Sequence, residues 1–257
     1  MGSPSTAVAD GPSSRLRACR RIAGLLLLLL ACAPLHLIAR AFGRSPWPRR
    51  FLAGVSWICG ADVRCEGAPA PCGTLLLANH VSWLDIPVLA GATGCAFVSK
   101  AEVRDHPILR WLADQNSTIY IDRTNRRSIH GQVASLADGL KRPQALALFP
   151  EGGIGDGGRL APFKPSLLAA VAPPPEGVVI RPVVIDYGVL APLIGWFPGE
   201  PGIANALRVL GRKGRFPITV RLLGAIAPSP DRKVLAAAAH DAIARVLAPS
   251  GMAPARV

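Results

Sequence analysis

The segment Asn79-His80-Val81-Ser82-Trp83-Leu84-Asp85 sets an imidazole and a carboxylate five positions apart. On a regular helix such residues are rotated by roughly 140° from one another and cannot share a face. They meet only if His80 lies in a loop and Asp85 in the first turn of the helix that follows. In that arrangement the carboxylate fixes the imidazole tautomer and stabilises the imidazolium, leaving the second ring nitrogen to accept a proton. Taken alone, the spacing equally fits a surface histidine followed by a capping aspartate.

A second motif, Phe149-Pro150-Glu151-Gly152-Gly153-Ile154-Gly155-Asp156-Gly157-Gly158, formally contains G-x-G-x-x-G. A dinucleotide fingerprint needs a helix opening directly from its glycines, whereas Pro162 and Pro165 follow here. The segment is therefore expected to be an exposed loop in which Glu151 faces a polar ligand, with Gly152 beside it. Lys100 and Arg123 form a third group, since Lys binds phosphate as a point charge and Arg binds it as a fork. The chain has no G-x-S-x-G elbow and no H-E-x-x-H, and His36, His106, His130 and His240 show no ligand spacing. No metal is expected.

These residues need elements to hold them. From residue 74 onward, short apolar runs alternate with helical patterns, with strands expected at 74–78, 95–99, 118–121, 145–149, 178–185 and 218–223. Helices are expected at 84–90, from Pro107, and at 126–140, 164–171, 203–210 and 231–247, the last capped by Asp231. The alternation implies an α/β fold, a mainly parallel sheet flanked by helices. In such sheets functional groups gather beyond the carboxyl ends of the strands. All three motifs sit there, after the strands ending near residues 78, 121 and 149.

The rest of the chain points to a lipid surface. Of its 257 residues half are hydrophobic, and the net charge is +13, which favours anionic partners. Nucleic acid is the first guess for such a balance. No strand interleaves basic and aromatic residues, however, and no Cys/His pattern suggests a zinc finger. The mean hydropathy is positive. The run Ile-Ala-Gly-Leu-Leu-Leu-Leu-Leu-Leu-Ala-Cys-Ala-Pro-Leu-His-Leu-Ile-Ala at 22–39 lies between basic flanks. It is just long enough to span a bilayer, although Pro34 and His36 weaken it. A re-entrant or interfacial hairpin, returning through 51–59, fits as well as a span. A signal peptide cleaved near Ala31-Cys32-Ala33 is the competing reading. Six cysteines without a CxxC pair suit reduced thiols on the cytosolic side. The expected organisation is a disordered tail at 1–14, a membrane-anchoring helical region at 15–69, and an α/β domain at 70–257.

In this order the blocks resemble the lysophospholipid acyltransferase family, which includes 1-acylglycerol-3-phosphate acyltransferases. Its N-H-x4-D pattern matches Asn79 to Asp85, and its lysine followed by strand-x-D-R is similar to Lys100 and Ile119-Tyr120-Ile121-Asp122-Arg123. Its F-P-E-G matches Phe149 to Gly152, and V-x-P-V resembles Ile180-Arg181-Pro182-Val183. The run Asp-Gly-Gly-Arg-Leu-Ala-Pro-Phe-Lys-Pro-Ser-Leu-Leu at 156–168 resembles the continuation in bacterial members. Two departures bear on the head-group site. Gly153 stands where the family has Thr, and Asn116-Ser117 where it has Gly.

The resemblance implies a membrane enzyme with its site facing the cytoplasm and no resident cofactor. His80 would deprotonate the acceptor hydroxyl, oriented by Asp85, and the oxygen would attack the thioester of acyl-CoA or acyl-carrier protein directly. Lys100, Arg123, Glu151 and Gly152 would bind the acceptor, 1-acylglycerol-3-phosphate. Acylation of a lyso-ornithine lipid by the same chemistry is the alternative, and a non-catalytic lipid-binding protein is the alternative of another class.

Overall fold

A computed structural model of the protein describes residues 14–43, 45–121 and 136–248. Arg123, most of the helix expected at 126–140, and nearly all of the expected tail lie outside the described residues.

Two helices come first. Helix α1 (Arg15–Ala41) starts at Ser14, whose hydroxyl accepts from Arg17 N, and continues through the leucine run despite Pro34. Helix α2 (Trp47–Ile58) turns back along it. They pack closely, because Gly24 and Gly54 leave room for Ile58 and Leu28 across the contact. Only a small part of the apolar stretch of α1 is buried.

Seven strands among the described residues form one sheet: β1 (Ala61–Glu66), β2 (Thr74–Ala78), β3 (Ala96–Lys100), β4 (Ile119–Ile121), β5 (Leu146–Leu148), β6 (Val179–Asp186) and β7 (Phe216–Leu222). Their order is β1-β7-β6-β2-β5-β3-β4, and every pairing is parallel except β6 with β7. The mainly parallel α/β sheet expected from the sequence is therefore present. Strand β1 falls inside the span assigned to the anchoring region, so the sheet begins before residue 70. Its burial pattern explains the difference. Only Ala61 is buried, and the polar residues after it lie along the open edge, giving none of the apolar signal of an inner strand.

Alternation in β2 divides the core. Leu76 and Ala78 join one cluster with Leu84, Val88 and Ile218. Leu75 and Leu77 join another with Leu168, Leu235 and Ile243. Both faces are covered, as an inner parallel strand requires.

Helix α3 (Asp85–Thr93) covers the first face and is itself packed on α2, where Gly91 lets Ala53 approach the backbone. Helix α4 (Pro107–Gln115) buries none of its residues, α5 (Gly202–Leu210) adds Val209 and Leu210 to the first face, and α6 (Arg232–Leu247) covers the second face. Asp231 caps α6 by accepting from Lys233 N at 2.7 Å, as expected. The helix expected at 164–171 is a 3-10 helix, Pro165–Val171.

Candidate active site

Strands β2, β5 and β6 are neighbours and run the same way, so the residues just past their carboxyl ends meet. Asn79 continues β2 by imitating a peptide group. Its Nδ2 donates to Ile185 O at 3.0 Å and its Oδ1 accepts from Ile185 N at 2.8 Å. This fixes the exit of the strand and sends His80 into a buried loop.

His80 Nδ1 lies 2.8 Å from Asp85 Oδ2. Asp85 is the first residue of α3 and is fully buried, the loop-then-first-turn placement the spacing demanded. The same Oδ2 also accepts from Val81 N at 2.6 Å and Ser82 N at 2.8 Å, while Oδ1 accepts the Tyr187 hydroxyl at 2.6 Å. Four donors thus converge on one carboxylate, compensating a charge that burial alone would make costly. Burial, and next the negative charge of Asp85, hold the Tyr187 phenol well above its usual pKa. It therefore remains a donor at any physiological pH.

The imidazole face is covered by Phe149, with ring centroids 3.9 Å apart and planes 12° from parallel. The loop backbone is held on both sides. His80 N donates to Glu151 Oε1 at 2.6 Å, and His80 O accepts from Gly155 N at 2.7 Å. Among the described residues no group bonds His80 Nε2, the nitrogen left to exchange a proton.

Glu151 was expected to face a ligand. It is buried and turned inward, one oxygen on His80 N and the other accepting from Ala161 N at 3.1 Å. Burial pushes its pKa up, opposed by these two amide bonds. The reason for the inward turn is local: Gly152 has φ +76, and the Lys164 side chain fills the space a side chain at 152 would need, where the loop folds back.

Lys100 ends β3, which β5 separates from β2. It is exposed, and no hydrogen bond or ion pair joins it to the His80 cluster among the described residues. The structure therefore brings together His80, Asp85, Glu151 and Gly152 and leaves Lys100 apart. Tyr187 is not among the residues the motifs single out, and Phe149 is singled out only as part of its motif, not for its stack on His80. Tyr187 directly follows the apolar strand β6 at the same sheet edge, a position rule that could have found it. Among the described residues no cluster of three His, Cys, Asp or Glu side chains could hold a metal.

A largely buried histidine, oriented by a saturated carboxylate and open at its other nitrogen, can deprotonate a hydroxyl and return the proton to a leaving group.

Comparison with known proteins bears on which reaction this is. Residues 62–186 match the family model described as Acyltransferase. The lyso-ornithine lipid O-acyltransferase of Rhodobacter capsulatus is 32% identical over 249 residues, 90% of each chain. The 1-acyl-sn-glycerol-3-phosphate acyltransferase of Neisseria gonorrhoeae is 35% identical over 138 residues, 52% of this chain and 53% of that one. The crystal structure of a 1-acyl-sn-glycerophosphate acyltransferase from Thermotoga maritima shares the fold, with a TM-score of 0.60 at 19% identity over 92% of this chain and 100% of that one.

Proposed function

The chain belongs to the acyltransferase family and acts on lysolipids, and on that footing we propose that it transfers a fatty acyl group to the free hydroxyl of a lyso-ornithine lipid. His80 Nε2 takes the hydroxyl proton, and the oxygen attacks the donor's thioester carbonyl. The carbon–sulfur bond breaks, and the imidazolium returns the proton to the departing thiolate. An ester and a free thiol result, without an acyl-enzyme. Asp85 holds the Nδ1 proton, while Glu151 and Gly152 shape the loop that positions His80. The observation that carries the chemistry is the 2.8 Å contact between His80 and Asp85.

The donor is acyl-CoA or acyl-carrier protein, used as a co-substrate, with no resident cofactor. Both donors are cytoplasmic, so the site faces that side of the membrane. The choice of acceptor is supported by sequence likeness along nearly the whole chain to one kind of relative, against sequence likeness along half of it to the other, with which the fold is shared. 1-Acylglycerol-3-phosphate, the acceptor the sequence blocks imply, is the second reading, with Lys100 and Arg123 as its phosphate ligands.

Helix α1 supplies the membrane contact. It is ~40 Å long and tied to the α/β body near both ends. The Arg21 guanidinium donates to Leu210 O at 2.9 Å and Gly214 O at 3.0 Å, at the carboxyl end of α5. His36 Nε2 lies 3.0 Å from Gln115 Oε1 on α4. A helix held to one body at both ends lies along a leaflet rather than crossing it. Its free side carries Leu26, Leu27, Leu30 and Ile38, and Ile108 and Leu109 of α4 are also exposed.

A panel of lyso-ornithine lipid and lysophosphatidic acid, assayed with labelled acyl-CoA and acyl-carrier protein, tests the reading. Acylation of lysophosphatidic acid alone would overturn the acceptor. Absence of transfer to any lysolipid would overturn the reaction.

A further inference from the structure

Beside the His80 loop opens a cleft of about 540 Å³, whose lining includes Ile154, Asp156, Arg159, Trp196 and Phe197. One wall is the glycine-rich loop, anchored to the active site by the Gly155-to-His80 hydrogen bond. The facing wall is the turn at 195–200, locked by a separate network. Glu200 receives Arg208 at 2.8 and 2.9 Å and Asn205 at 2.8 Å. The Arg208 hydrogen bond is the main cause holding its carboxyl down at about 2. The two walls touch where Trp196 N donates to Gly155 O at 3.1 Å, and where Gly157 and Gly195 sit too close to opposing backbone to carry a side chain.

Two opposite charges stand on this fixed frame. Asp156 and Arg159 are both exposed, and no ion pair joins them to each other or to another residue among the described residues. Asp156 Oδ1 caps its own turn by accepting from Gly158 N, leaving Oδ2 open. A dianionic phosphate monoester entering here would meet Arg159 but also the like charge of Asp156. An ornithine head whose α-nitrogen is acylated presents one carboxylate and one ammonium, and so matches both.

We propose that Asp156 and Arg159 form the head-group site for a zwitterionic amino-acid lysolipid, Arg159 taking its carboxylate and Asp156 its ammonium. This rests on the lyso-ornithine reading above and adds the residues that make the choice. It also gives the glycine-rich loop two tasks, holding the His80 backbone at Gly155 and the acceptor's head one residue later.

The experiment pairs protein variants with altered acceptors. On lyso-ornithine lipid, Arg159→Ala and Asp156→Asn should each raise the acceptor KM roughly tenfold, the scale of one charge-assisted hydrogen bond, with kcat nearly kept. Asparagine retains the turn-capping oxygen. On the carboxyl methyl ester of the acceptor, Arg159→Ala should lose its effect while Asp156→Asn keeps it. On the N-acetylated side-chain amine the pattern should reverse. Unchanged KM values, or shifts indifferent to which acceptor group is blocked, overturn the head-group site while the acceptor reading stands. If the unaltered protein acylates no lyso-ornithine lipid, the acceptor reading falls and the inference with it.

Discussion

The His80 loop and the α1–α2 pair sit in the same molecule under opposite rules. Around His80, polar groups are buried and nearly all are bonded: Asp85 has four donors, Glu151 two, and Asn79 is matched to Ile185 on both sides. Along α1 and at its cap, large apolar side chains stand exposed, Leu30 at 71% and Phe42 at 89%, and among the described residues polar ties lie toward the helix ends. Proton transfer needs one geometry, and redundant hydrogen bonds supply it. Contact with lipid needs area rather than geometry, and a helix can provide it while making few specific contacts.

If the two regions are energetically separate, each should fail alone. His80→Ala removes the group assigned to proton transfer and should lower kcat by roughly two to four orders of magnitude, with sedimentation onto vesicles unchanged. Near-normal turnover by a folded variant would end the general-base role. Leu30→Glu should do the converse. Loss of one leucine from the lipid contact, with a charge added, should weaken vesicle partition roughly tenfold to a hundredfold. Turnover of a detergent-dispersed acceptor should stay within about twofold. A loss of kcat in detergent would show that the anchor and the site are coupled.

Tyr187→Phe probes a contact within the site that its sequence neighbours did not advertise. The ring is kept and one donor to buried Asp85 is lost, so kcat should fall roughly tenfold, the worth of a hydrogen bond to a charged group. Unchanged kcat in the folded variant would mean that Tyr187 only fills space.

The same contrast decides what was legible in the sequence. The inner strands β2 and β6 are apolar runs bounded by polar loops, and β2 places His80 by the carboxyl-end rule alone. The leucine run announced α1, but not how it lies. That depends on Arg21 reaching backbone carbonyls of α5 and His36 reaching Gln115, contacts 188 or more and 79 residues apart in the chain. Strand β1 was missed because an edge strand with polar side chains has no period to read. The expected sheet is mainly parallel, but which strand runs the other way is not readable, because strand direction is set by the connection, which residue types do not encode. The sequence puts Glu151 in this loop but does not give its direction, since the tight turn at Gly152 and the two waiting amides appear only once the chain is folded.

Glu151 gives the smallest expected effect and the sharpest test of that last point. Its pKa is raised, with burial the leading cause, so the folded protein binds this proton more tightly than the unfolded chain does. Stability on this account is greatest below the ordinary carboxylate value and falls as pH rises through the window up to the raised folded value. Above that window the charge persists at a constant cost. Activity should run the other way. Protonation removes charge from the acceptor of His80 N and loosens the loop, so turnover should decline on the acid side of the same window. Glu151→Gln keeps the shape and one carbonyl acceptor but turns an amide donor toward one of the two N–H groups. It should flatten the stability slope in this range and lower kcat by about threefold to tenfold, without raising the acceptor KM. If instead the variant chiefly raises that KM, Glu151 touches the acceptor after all, and the inward carboxylate has a second partner.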